Sequence, residues 1–170
     1  DQQYNIMRMS PDDLEFAYEL YCQNNSFIDD AVCDSPILDA DRHYTYYDFT
    51  DVITDKNSRS FLLFHKKEIK HGPYQYFVDD RYAFISYEIM KDDRLARIVF
   101  LEAKSKDLQL YQKMLDHVIE NLVATKQCQR LIIEIDDGND KLMKFVMGNR
   151  FKETKVFNPP VYIKAVISSF

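Results

Sequence analysis

Three glutamates on predicted strands are the residues best suited to move protons. Glu88, Glu102 and Glu134 each lie in a segment whose apolar residues are arranged as in a β-strand. A carboxylate acts as a general base when it can reach the reacting proton and its pKa lies near the working pH. The plainer interpretation of each is a solvated or ion-paired strand carboxylate, so their roles stay open.

Acidic and aromatic side chains crowd together after the first predicted helix. Asp39 and Asp41 precede Tyr44, Tyr46 and Tyr47. Carboxylates and aromatic faces together hold organic cations through ionic and cation–π contacts. The segment is therefore a candidate substrate-binding region, and the alternative is a semi-buried cap on the sheet.

Histidine and cysteine spacing gives no sign of a metal site. The four histidines do not cluster and show no HxxxH or HExxH spacing, and the three cysteines are far apart with no CxxC pair. We expect no metal. An odd number of separated cysteines fits a reducing compartment, so the sequence predicts a cytoplasmic protein.

Composition favours one folded, acidic domain spanning residues 1–170. The chain has 170 residues, 46% of them hydrophobic, and a formal net charge of -6. That charge argues against nucleic acid as a partner, because phosphate-backbone binders carry an excess of Lys and Arg. It favours cationic partners such as small amines or lysine-bearing proteins. No segment approaches the ~20 apolar residues of a membrane span.

The elements that must position these residues occur in the order β-α-(α)-β-β-β-α-β-α-β-β. Ser10-Pro11-Asp12-Asp13 is typical of a helix start. The widest apolar stripe follows a cap at Ser105 or Asp107 and extends to Val123. The predicted strands are residues 4–9, 60–66, 81–90, 94–102, 130–135, 152–157 and 161–167, and the last predicted helix is 139–147. An edge formed by the final strand could pair with a second copy, giving a homodimer.

The stretch from Arg130 to Phe151 resembles the second half of the GNAT N-acyltransferase core. In that family a strand ending Leu-x-Leu-Glu-Val is followed by Asn, an apolar helix and a terminal Phe. The residues in register here are Glu134, Asn139, Leu142, Met143, Phe145 and Phe151. The preceding meander and long helix match the family's order of elements. The resemblance implies an α/β (α+β) fold with a mixed, mostly antiparallel twisted sheet of about six or seven strands flanked by helices.

The resemblance also implies acetyl-CoA or another acyl-CoA as the acyl donor. The donor would lie against the strand at Phe100 and Leu101, the helix start at Lys106 and Asp107, and Asn139. Glu102 would then lie close to the thioester, with Glu88 and Glu134 on strands beside the same cleft. The tyrosine-rich segment would shape the acceptor pocket.

The sequence departs from the family at two points. Lys106, Asp107, Gln109 and Tyr111 stand where the family's Arg-x-x-Gly-x-Gly loop cradles diphosphate. A carboxylate at Asp107 stabilises a helix N-terminus but repels a diphosphate there, and Tyr111 either fills the glycine's space or turns into the core. Val146 stands where many members have a tyrosine that protonates the departing thiolate, and valine has no ionisable group.

Two classes of function follow. One is an N-acyltransferase that moves an acetyl or other acyl group from acyl-CoA to an amine. The other is a non-catalytic binding or regulatory module on the same fold, as in antizyme, whose helix start looks similar to Ser105-Lys106-Asp107.

Overall fold

The computed structural model describes residues 3–25, 44–135, 139–154 and 161–166. Within these ranges the elements follow the order that the sequence predicts, with short 3-10 turns before α1, β4 and α3. None of the helices described is long and apolar enough to cross a membrane. The bounds are β1 Asn5–Arg8, α1 Leu14–Asn24, α2 Tyr46–Thr54, β2 Ser58–His71, β3 Tyr74–Met90, β4 Leu95–Ala103, α3 Leu108–Thr125, β5 Arg130–Glu134, α4 Asp140–Gly148, β6 Lys152–Thr154 and β7 Val161–Ala165.

The seven strands form one mixed sheet in the order β1-β2-β3-β4-β5-β7-β6. Every neighbouring pair is antiparallel except β4 and β5, which run parallel. The prediction that the final strand is a sheet edge is wrong, because β7 lies between β5 and β6. The order of strands along the chain does not fix their order in space, and here the earlier β6 takes the outer position.

Each face of the sheet carries its own core. Alternate residues of a strand point to opposite faces, so Ala83, Ile85 and Tyr87 of β3 pack with α3 and α4. Phe84, between them, packs with α1 and α2. Both faces of this strand are therefore covered. Helices on both faces leave the ends of the strands as the places where a ligand can reach the backbone.

The β2–β3 hairpin is longer than the sequence predicts. The two strands remain paired from Ser58↔Glu88 to His71↔Tyr74, across a two-residue turn at Gly72-Pro73. Gly72 has a φ of +61°, which glycine adopts at little cost. The outer half of the hairpin is largely exposed on both faces, so it lacks the alternation of buried and exposed residues that marks a strand in a sequence.

Candidate active site

β4 and β5 separate partway along their length and open a cleft. They are paired from Leu95↔Arg130 to Ile98↔Ile133, whereas β4 continues to Ala103. A bulge on β4 at Val99 shifts the register with β3 at the same point, and such bulges bend the strand that carries them. The described part of β5 offers no partner beyond Ile98↔Ile133. The opening has a volume of about 270 Å³.

The walls of the cleft come from five parts of the chain. The sheet contributes β4 and the end of β5, the helices contribute the end of α1 and the start of α4, and the fifth part is Tyr44, just before α2. The lining residues are Tyr21, Asn25, Tyr44, Arg97, Ile98, Val99, Phe100, Leu101, Glu102, Ile133, Glu134, Ile135, Asn139 and Leu142. Of the predicted cofactor-binding residues, Phe100, Leu101 and Asn139 thus line the cleft.

An aromatic wall lies on one side of the cleft. The rings of Tyr21 and Tyr44 pack edge-to-face against Phe100, with centroids 5.3 and 5.1 Å away. The Tyr21 hydroxyl accepts a 3.1 Å hydrogen bond from the Tyr44 backbone N–H. Burial raises the pKa of Tyr21 to about 12, against the lowering effect of that bond. Tyr21 is therefore a neutral phenol at physiological pH.

Glu102 is the titratable group with the most altered environment in the cleft. Its half-buried carboxylate accepts a 3.3 Å hydrogen bond from Asn25 Nδ2. Burial raises the pKa of Glu102 to about 8, opposed by hydrogen bonds from Asn24 and Asn25 and by the charge of Lys106. A carboxyl group with this pKa exchanges protons near neutral pH, as a general base must.

Glu88 and Glu134 have a different environment, because both contact Arg97. Glu88 Oε1 lies 3.1 Å from Arg97 Nε, and Glu134 Oε1 lies 3.9 Å from Arg97 Nη1. Glu134 and Arg97 line the cleft, whereas Glu88 does not. Glu88 and Glu134 are therefore ion-paired strand carboxylates, which was the plainer interpretation of all three glutamates. Glu102 remains as the candidate base.

The start of α3 is occupied by the protein's own carboxylate. Asp107 is the N-cap, and its Oδ1 accepts a 2.9 Å hydrogen bond from the Gln109 backbone N–H. Ser105 and Lys106 have left-handed backbones, with φ of 59° and 50°. Tyr111 takes the second of its two predicted positions, buried in the core and edge-to-face on Phe145.

The residues at this helix start do not fit a diphosphate. A ligand anion binds a helix N-terminus through its unpaired N–H groups and the positive end of the dipole. Here the Asp107 carboxylate accepts a hydrogen bond from one of those N–H groups and places a negative charge beside the others. The Lys106 carbonyl accepts a 2.8 Å hydrogen bond from Lys141 Nζ, so the Lys141 side chain stabilises the turn before α3. The cleft is open, but the helix start carries a carboxylate where a diphosphate would bind.

The predicted substrate-binding residues are divided. Tyr44 lines the cleft, whereas Tyr46 and Tyr47 lie on α2 outside it. The Tyr46 ring packs edge-to-face on Tyr18, 5.3 Å between centroids, and Tyr47 is 81% exposed. Asp39 and Asp41 lie outside the residues that the structure describes.

Tyr21 of α1 and Asn25, the residue that follows this helix, belong to the site but were not predicted. Their hydrogen bonds join parts of the chain that are far apart in sequence, 77 residues in the case of Asn25 and Glu102. The signal available in the sequence was a pair of amides, Asn24-Asn25, at the end of a helix.

Asn139 has a local structural role as well as a place in the cleft. Its Oδ1 accepts a 3.3 Å hydrogen bond from the Leu142 backbone N–H, which caps α4. Val146, at the position where many GNAT members have a tyrosine, is 1% exposed and packs in the core. In the described residues, no group of three His, Cys, Asp or Glu side chains is arranged to hold a metal ion.

The fold of the chain is that of the GNAT acetyltransferases. Over 99% of its length it superposes on the ribosomal-protein-S18-alanine N-acetyltransferase of Escherichia coli, with a TM-score of 0.67, 13% identity and 97% of that chain covered. A GNAT-family acetyltransferase of Staphylococcus aureus Mu50 gives a TM-score of 0.66 at 14% identity, covering 96% of this chain and 99% of that one.

An aminoglycoside 6'-acetyltransferase type Ii is similar to the same degree, with a TM-score of 0.66 at 11% identity over 98% of this chain and 99% of the other. No family model matches the sequence, and no curated protein does. Likeness at these identities establishes the fold, and the chemistry must be argued from the residues of the cleft.

Proposed function

We propose that the protein is an N-acyltransferase in which Glu102 takes a proton from an amine acceptor bound in the β4/β5 cleft. The observation that carries the proposal is a carboxyl group with a pKa of about 8 on a stretch of β4 that has no strand partner on its β5 side among the described residues. Amine acylation requires a neutral nitrogen to attack a carbonyl carbon, so an ammonium ion must first lose a proton. A base with a pKa near neutrality suits that task.

The donor in this proposal is an acyl thioester with an extended amide-bearing arm. Beyond Ile98, the β4 edge facing β5 pairs with no strand of the described residues, so a further strand-like partner can bind its backbone groups. An extended chain of amides can bind such an edge as an added strand does. The volume of about 270 Å³ suits an arm of this kind and is small for a whole nucleotide-bearing thioester.

The acceptor in this proposal is a small amine or a lysine side chain. The faces and edges of Tyr21, Tyr44 and Phe100 form the wall nearest Glu102, and aromatic faces attract organic cations. The neutral Tyr21 phenol adds no charge of its own. Glu102 can then receive the proton once the ammonium is bound.

The Asp107 carboxylate at the start of α3 favours a second candidate, a non-catalytic binding module. Asp107 opposes a diphosphate at the helix start, and Val146 cannot protonate a departing thiolate. If the second candidate holds, the cleft binds a ligand without turning it over.

One assay separates the two candidates. Acyl transfer from S-acetylpantetheine, which has no phosphate, and from acetyl-CoA is followed by mass spectrometry with a panel of primary amines. We expect transfer from S-acetylpantetheine, slower transfer from acetyl-CoA, and a loss of roughly 10²- to 10⁴-fold in Glu102→Gln, with Glu88→Gln as the control that retains activity. Saturable binding of S-acetylpantetheine with no acylated amine would overturn the proposal of an N-acyltransferase and support the non-catalytic binding module.

A further inference from the structure

A second cavity lies between the sheet and the C-terminal half of α3. Its volume is about 500 Å³, within the roughly 300–1,000 Å³ of most small-molecule sites. It shares no lining residue with the β4/β5 cleft. Two guanidinium groups, an imidazole and two amides line it together with an apolar floor: Ile6, Met7, Arg8, Arg59, Phe61, Tyr87, Ile89, His117, Asn121, Thr125 and Gln127.

The strand register explains why these side chains meet. Arg8 pairs across the sheet with Phe61, and Arg59 pairs with Tyr87. Arg59 and Phe61 are two residues apart on β2 and so lie on the same face. Phe61 and Tyr87 belong to the core beneath α3. The register therefore brings two guanidinium groups to the border of that core.

The two arginines carry charge that the described residues do not neutralise. Arg59 Nη1 donates 2.9 Å hydrogen bonds to the carbonyls of Lys56 and Ser58, which hold this side chain in place. No carboxylate of the described residues lies within 4 Å of Arg8 or Arg59. In a chain with a net charge of -6 this cavity is a local cationic site.

His117 adds a buried polar atom that has no partner. Its Nε2 is inaccessible to solvent and makes no hydrogen bond with any residue the structure describes. The ring packs edge-to-face on Phe61, 4.6 Å between centroids. Burial lowers the pKa of His117, opposed by Glu120, so the ring is neutral at physiological pH. A neutral imidazole can donate one N–H to a ligand.

The pKa of Tyr87 is influenced by the charges of Arg8 and Arg59. Burial raises the pKa of its phenol, while the nearby Arg59 and Arg8 act in the opposite direction. Both guanidinium groups therefore lie close enough to influence the hydroxyl. The cavity thus combines charged and polar side chains with apolar ones.

We propose that this cavity binds a small organic anion, with its carboxylate or phosphate on Arg8 and Arg59 and its apolar body on Phe61 and Ile89. Guanidinium groups match the geometry of both oxyanions and bind them by paired, charge-assisted hydrogen bonds. The apolar floor distinguishes an organic anion from an inorganic one. His117 lines the same cavity, so a bound anion lies beside its ring.

The test is an NMR titration of the full chain with phenyl phosphate and with 3-phenylpropionate. We expect both to saturate and to shift the ring signals of His117, and 3-phenylpropanol, the neutral analogue, to bind roughly tenfold more weakly. Arg8→Gln and Arg59→Gln should each weaken both anions roughly fivefold or more. Lys152→Gln, which removes one charge at an exposed site on β6, should leave their affinities unchanged.

Three results would overturn the proposal. They are equal affinity for 3-phenylpropanol, equal loss of affinity in Lys152→Gln, and no binding of either anion at about 10 mM. The Arg8 side chain is exposed and, among the described residues, makes no hydrogen bond to the backbone like those of Arg59. Arg8→Gln therefore tests the proposal if Arg59→Gln fails to fold. Separate arms for the two anions show which oxyanion the site prefers.

Discussion

The Asp107 carboxylate accepts a 2.9 Å hydrogen bond from the backbone N–H of Gln109, at the helix start where the GNAT resemblance expects a diphosphate. One side chain thus has two opposite effects. It caps α3, the longest helix among the described residues, and contributes about 1 kcal/mol to the stability of the protein. It also holds a negative charge at the positive end of the helix dipole, where a ligand anion would have to bind.

Asp107→Asn should strengthen binding of coenzyme A without weakening the helix. Asparagine caps a helix N-terminus about as well as aspartate, so the substitution removes the charge and keeps the hydrogen bond. We expect affinity for coenzyme A to rise roughly threefold to fivefold, from the removal of about 0.6–1 kcal/mol of repulsion. Isothermal titration calorimetry measures it.

Pantetheine provides the control, since it has no phosphate and should bind both proteins equally. Asp107→Gly loses only a few tenths of a kcal/mol of capping and should also strengthen coenzyme A binding. Weaker coenzyme A binding in either variant would show that the repulsion between Asp107 and the ligand is not what limits affinity.

Adjacent residues of α3 should differ widely in their effect on stability. Leu122 is 1% exposed and Val123 is 45% exposed. Leu122→Ala leaves a cavity in the core and should lower the free energy of unfolding by about 2–5 kcal/mol. Val123→Ala should change it by less than about 0.5 kcal/mol. Urea denaturation of both variants measures the difference, and similar losses would mean that α3 packs through a different face.

Leu122 and Val123 also show what a sequence pattern can predict about burial. The helical period predicts a wide apolar stripe that includes Val123, but the flank of such a stripe is solvent-exposed when the sheet beneath the helix is narrower than the stripe. The order of strands and helices and a helix cap at Ser105 or Asp107 were predictable, because they depend on neighbours close in sequence.

The parts of the site that were not predicted depend on contacts between distant segments. Glu88, Glu102 and Glu134 look alike as strand carboxylates. What distinguishes them is whether Arg97 or α1 lies opposite, and this is decided by the packing of the sheet. The internal position of β7 is likewise a property of the strand order in space, which the sequence pattern leaves open.

The raised pKa of Glu102 predicts that stability falls as pH rises from about 4.5 to about 8. The folded protein keeps this proton up to a pKa of about 8, from an ordinary value of 4.5. Between these values unfolding releases a proton, so a higher pH favours the unfolded chain. Partial solvent access reduces the effect, which we expect to be on the order of 2 kcal/mol.

Glu102→Gln removes this dependence. Relative to the unmodified protein, the variant should gain stability between pH 4.5 and 8, keep that gain at higher pH, and show little change at pH 4. Urea denaturation across the pH range measures the difference. A difference that does not change with pH would mean that the Glu102 carboxyl is as well solvated in the folded protein as in the unfolded chain.

The rate of acyl transfer should rise with pH through the same titration. A general base works only when deprotonated, so kcat/KM should increase up to about pH 8, the pKa of Glu102. An amine acceptor also loses its proton on the alkaline side, and acceptors of different pKa tell the two apart. The midpoint set by Glu102 stays near 8 for every acceptor, whereas a midpoint set by the acceptor moves with it. Glu134→Gln should keep the midpoint and Glu102→Gln should abolish it, because Glu134 is paired with Arg97 and the midpoint near 8 is the pKa of Glu102.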